Sequence, residues 1–201
     1  MTISAVEDPH QQGGAAGPAA AVQDEVYVAR QPLLDREGML CGFELKVRSP
    51  AVPDPDPANF TDSENDVAAL AQAVKDAQAA RVQVAKRVIQ AAAHPDAGSA
   101  LAGHMAYVDA SREMLFDETL RRLPPSRFML ELPPDLVADD MLVSRVIALH
   151  GKRYRFVLDD VTQPDDTFAK LLPYADAVKI DFGNTQPALL PKLAKVLKAA
   201  G

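Results

Sequence analysis

The chain has no tryptophan and one cysteine, Cys41, among its 201 residues. A lone cysteine excludes an internal disulfide, and nothing points to an oxidising compartment. Cys41 reads as a small apolar filler in a strand. No apolar run reaches the ~18 residues of a membrane span, and no basic segment followed by an apolar one marks a signal peptide. The expectation is a cytoplasmic protein with no membrane partner. A basic surface is also lacking: the formal net charge is -7 and the pI about 5.1. That argues against nucleic-acid polymers as partners. It does not exclude an anionic small ligand, because a bound metal can supply local positive charge. What is present is ordinary: 48% hydrophobic and 24% charged residues, enough for one domain with a full core.

Residues 1–24 are rich in Ala, Gly, Gln and Pro, without periodicity, and read as a disordered tail. Residues 25–201 read as one domain. A first strand covers 26–34, with Pro32 disfavouring a central ladder position. A short turn over 35–38, with Gly38 available for a positive φ, leads into a second strand at 39–47. Alternation puts Gly42, Glu44, Lys46 and Arg48 on one face, either solvated or lining a polar site. Prolines 50, 53, 55 and 57 mark an irregular loop. Thr61 and Ser63 are N-cap candidates for a helix running to about residue 94, with Val67, Ala71, Val74, Gln78, Val82, Ala85, Ile89 and Ala92 along one face.

Four β-then-α units follow. The strands are 104–108, 128–130, 155–158 and 178–180. The helices are 114–123, 135–150 (stopped by Gly151), 166–174 and 187–200. This alternation indicates a parallel sheet with crossover helices. Asp109, Glu131, Asp159 and Asp181 stand at or near the ends of the four strands, where parallel strands share one rim. Each acid alone could cap a helix. Together with Glu44 they read as a converging set of oxygen ligands for a hard cation.

At these residues the chain resembles the EAL family of cyclic-di-GMP phosphodiesterases, and in particular a divergent branch usually joined to a C-terminal HDOD domain. Arg30-Gln31-Pro32-Leu33 resembles the opening strand motif. Gly42-Phe43-Glu44-Leu45-Lys46-Val47-Arg48 lies where the Glu-Ala-Leu signature falls. Val108-Asp109-Ala110-Ser111, Leu130-Glu131-Leu132, Asp159-Asp160-Val161 and Lys179-Ile180-Asp181 match later motifs in order. The resemblance implies an α/β fold, a TIM-like (β/α) barrel with its first strand antiparallel, here incomplete at its C-terminus. It implies Glu44, Asp109, Glu131 and Asp159 as ligands of a first Mg²⁺ or Mn²⁺ and Asp160 as ligand of a second. Asp160 and Lys179 would serve the chemistry, Lys179 orienting water or stabilising phosphate charge. Gln31 and Arg48 would hold cyclic-di-GMP. The implied reaction is two-metal phosphodiester hydrolysis.

The departures weigh against turnover. Lys46 replaces an apolar residue, Asp109 an asparagine, and Pro134 a bracing glutamate. The segment Val161-Thr162-Gln163-Pro164-Asp165-Asp166 lacks the family's glycines and is stiffer for its proline. A TIM barrel typically takes about 250 residues, and the family's last strands, which carry a further glutamate and a glutamine, are not in this sequence. The expectation is a truncated, degenerate and non-catalytic module in cyclic-di-GMP signalling, acting through nucleotide binding, a protein partner or self-association, with an active phosphodiesterase as the alternative.

Overall fold

The computed structural model describes residues 27–35, 37–48, 53, 55–59, 61 and 63–200, with backbone only for Tyr27, Val47, Arg48, Glu64 and Ala200. The tail expected at 1–24 lies outside the described residues. Two long strands open the fold, β1 (Tyr27–Leu34) and β2 (Leu40–Arg48), paired antiparallel around the turn at Gly38, whose φ is 79°. Among the described residues β1 has a neighbour on one side only, which is where the missing N–H of Pro32 is tolerated. Four shorter strands then add in chain order, each parallel to the last: β3 (Met105–Asp109), β4 (Phe128–Leu132), β5 (Arg155–Val161) and β6 (Ala177–Ile180). Among the described residues the result is a six-stranded curled half-barrel, as the family resemblance implied.

Helices cover one face: α1 (Glu64–Ala92), α2 (Pro95–Ala100), α3 (Arg112–Phe116), α4 (Asp140–Gly151), α5 (Asp166–Leu171) and α6 (Leu190–Ala200). None of them is long and apolar enough to cross a membrane. Residue pairing across the sheet sets the core. Leu45, Val108, Leu130 and Phe156 form one row beneath the helices and are all buried. Ile89, Leu101, Met114, Leu115, Leu142, Val146, Leu171 and Leu193 close over them. Asp176 fastens β6 to β5: its carboxylate accepts from the Phe156 N–H at 3.0 Å, and its own N–H donates to the Phe156 carbonyl at 2.8 Å.

Several helix boundaries differ from expectation, each for a local reason. Ser63 is the N-cap of α1, its hydroxyl accepting from the Asp66 N–H at 3.2 Å. At 29 residues α1 is about 44 Å long and outruns the parallel strands. Ala85, Ile89 and Ala92 therefore reach the core, while Val67 and Val74, on the expected apolar face, stay 57% and 51% exposed. The helix expected over 114–123 breaks at Asp117, which caps a separate 3-10 turn over Glu118–Arg122. The helix expected from 135 begins at 140, because Asp139 takes the cap, accepting from the Leu142 N–H at 2.8 Å and pairing with Arg112 at 2.9 Å. Gly151 does not stop that helix. It is the last helical residue, and Arg153, at φ 68°, makes the left-handed exit.

Candidate functional site

The inner face of the half-barrel follows from the same pairings. Asp109, Glu131, Val157 and Ala177 form one row across β3 to β6. Glu44 pairs with Tyr107, one step lower. Asp159 and Lys179 lie two residues further along β5 and β6. The tilt of strands in a curled sheet brings such diagonal neighbours together. Glu44, Asp109, Glu131 and Asp159 each offer a carboxylate oxygen, and these oxygens all lie within 4.8 Å of one another.

Asp181 is not among them. Its carboxylate turns into its own loop, accepting from the Gly183 N–H at 2.7 Å and from Asn184. Those bonds hold it below the usual carboxylate range. The fourth acid of the cluster is Glu44, which is buried on the face that alternation left open between solvent and site.

Two lysines meet the acids. Lys179 lies 3.2 Å from Glu44 and 3.5 Å from Asp159, and pairs closely with Glu131. Lys46 pairs closely with Glu44 and lies 3.4 Å from Asp109. Burial opposes the charge on both lysines, but pairing with Glu44 and Asp109 for Lys46, and with Glu131 for Lys179, outweighs it and keeps both protonated. Burial also pushes Glu44 upward, and its two lysines overcome this to leave it lowered. Glu131 goes the other way. It is 1% exposed, and burial, with Glu44 and Asp159 nearby, raises it to about 7 against the pull of Lys179. Neither of its oxygens makes an aligned hydrogen bond, although Oε1 faces the Lys179 ammonium as an ion-pair partner. Oε2 is thus a buried acceptor without a donor, which a hard cation would satisfy. The donor set is one that could hold a hard cation, and the two ammonium groups share that space.

Asp160 stands outside the cluster. β5 takes three steps, from Leu158 to Val161, where β6 takes two, from Val178 to Ile180. This bulge holds Asp160 at φ 46°, a conformation costly for a residue with a Cβ. Asp160 is exposed, but partial desolvation of its carboxyl, with the charges of Asp159 and Asp181, raises it. Gln31 lies directly across from Glu44 on β1 and is exposed. Arg48 ends β2, and its side chain is outside the described residues. Pro133, Pro134, Thr162 and Gln163 line a cavity of about 240 Å³ that Asp159 borders. A larger groove of about 640 Å³, lined by Val28, Arg30, Leu45 and parts of α1 and α2, lies on the helix side of the sheet, away from the acids.

Sequence reasoning passed over Tyr107. Its ring lies over Gly42, where an added Cβ would come within 2.8 Å of it. Burial raises its phenol. The period of two that places Asp109 inward places Tyr107 inward as well, and could have marked it as the floor beneath the acids.

The fold and site together define a half-barrel of (β/α) type with an antiparallel first strand and an acidic rim. In structure it is similar to BlrP1 of Klebsiella pneumoniae, solved at pH 9.0 as a manganese and cy-diGMP complex. The TM-score is 0.56 at 15% identity, covering 91% of this chain and 48% of that one. In sequence it is similar to the uncharacterized protein YuxH of Bacillus subtilis (strain 168), 26% identical over 164 residues, or 80% of this chain and 35% of YuxH. The chain thus spans less than half the length of each. No family model matches it.

Proposed function

We propose that this chain is a degenerate EAL-type module of cyclic-di-GMP signalling that binds the dinucleotide or a protein partner without hydrolysing it. The observation that carries this reading is the pairing of all four clustered carboxylates with Lys46 or Lys179. A carboxylate engaged by a protein ammonium is a poorer ligand for a metal, and the metals supply the nucleophile and the charge stabilisation of such hydrolysis. Fold likeness to BlrP1 and the ordered motifs support the link to cyclic-di-GMP. Gln31, across from Glu44, and Arg48, at the end of the same strand, are the residues proposed to hold the nucleotide. β1 and β6 each have a single neighbour among the described residues, and such open edges support a protein partner or self-association.

Calorimetry with cyclic-di-GMP tests the reading. Heat that Gln31→Ala and Arg48→Ala both reduce is the expected result, with no linear product formed in Mg²⁺ or Mn²⁺. Linearised dinucleotide that disappears with Glu44→Ala would establish the alternative, an active phosphodiesterase. The unsatisfied oxygen of Glu131 and the strained Asp160 are the features that favour that alternative.

A further inference from the structure

The two lysines reach the carboxylates from different strands. Lys179 comes from β6, is 28% exposed, and touches three acids including the buried Glu131. Lys46 comes from β2, pairs with Glu44 and Asp109 among the described residues, and is 44% exposed. Asp109 is the most open of the four acids, with 54% of its side chain exposed. Lys46 is therefore the more exposed ammonium, beside the most open acid, and Lys179 the more buried one, beside Glu131.

We propose that Lys46 is a tethered cation that stands in for a divalent ion at this site, so that a neutral side chain at position 46 converts the cluster into a metal site. The proposal rests on reading the four acids as a ligand set. A hard divalent ion needs carboxylate oxygens at about 2.0–2.6 Å. An ion held by Glu44 and Asp109 would share space with an ammonium already in contact with both. Charge points the same way. Above about pH 7, where Glu131 is ionised, four carboxylates less two ammonium groups leave two negative charges, and removing Lys46 leaves three. The buried Oε2 of Glu131, which neither lysine bonds, then gains the cation it lacks. Lys179 cannot play the same part, because removing it would leave Glu131 buried with no counter-charge.

The test is Mn²⁺ binding to the purified chain, read by the electron paramagnetic resonance of the free ion. Lys46→Met and Lys46→Gln should each bind at least about tenfold tighter than the native chain. Lys46→Arg, which keeps the charge, should stay at the native level. Adding Asp109→Asn and Glu44→Gln to Lys46→Met should erase the gain. Equal affinity of the native chain and both neutral variants, all folded by circular dichroism, overturns the proposal. So does a gain that survives loss of the Glu44 and Asp109 carboxylates. Neither result bears on whether the native chain hydrolyses cyclic-di-GMP, so the two readings fail separately.

Discussion

Glu131→Gln measures directly what it costs to keep an acid inside this half-barrel. Glu131 is 1% exposed, and burial first, then its neighbouring acids, lift its pKa from 4.5 to about 7 despite Lys179. The unfolded chain releases that proton near 4.5, and the folded chain keeps it until about 7. Between those values the native state binds more protons than the unfolded state, so stability falls as pH rises. The contribution is fully present below about pH 4.5 and is lost through pH 7. At about 1.36 kcal/mol per unit, the loss reaches up to about 3 kcal/mol. Glutamine copies the protonated acid in shape and does not titrate. The variant should therefore gain on the native chain by up to about 3 kcal/mol between pH 4.5 and pH 8. For a chain of this size that is roughly 6–12 °C in melting temperature. Urea unfolding of both proteins across that range supplies the curves, and only their difference matters, because the other acids titrate in both. A difference that does not change with pH, or a variant that loses ground at pH 8, would refute the reasoning. The second outcome would mean that the Lys179 ion pair outweighs desolvation.

Three further substitutions test the frame around the site. Gly42→Ala puts a methyl 2.8 Å from the Tyr107 ring and 2.9 Å from the Met105 carbonyl. It should cost about 1–3 kcal/mol and shift the tyrosine absorbance, both measurable in one thermal melt. Arg153→Gly relieves a left-handed residue at φ 68° and should raise stability by about 1 kcal/mol, seen as a higher urea midpoint at unchanged slope. Ser63→Ala removes the side-chain acceptor for the Asp66 N–H. It should cost about 1 kcal/mol, with faster hydrogen exchange confined to the first turns of α1.

The fold was legible because its elements obey simple periods. Alternation put Glu44, Lys46 and Arg48 on one face of β2 without deciding whether it was solvated, and strand–helix alternation indicated a parallel sheet after one antiparallel pair. Boundaries were less legible where two signals competed. Asp139 and Asp117 are helix caps inside runs that pattern alone extends through, and Gly151 advertised a stop that Arg153 makes two residues later. The acids at strand ends were found by position. Asp181 was miscast because a carboxylate followed by Gly183 and Asn184 has closer donors in its own turn than across the barrel.

The sequence by itself determined the alternation of strands with helices, the rim on which the strand-end acids stand, and the face of β2 that Glu44 shares with Lys46. Those depend on periods of two and on chain order, which are local properties. Only the tertiary structure decided that Lys46 of β2 and Lys179 of β6 both reach the carboxylates, that Glu131 is shut away from water, and that a bulge strains Asp160. Each of these depends on the stagger and curl of neighbouring strands, which bring together side chains far apart in the chain and set how much water stays between them.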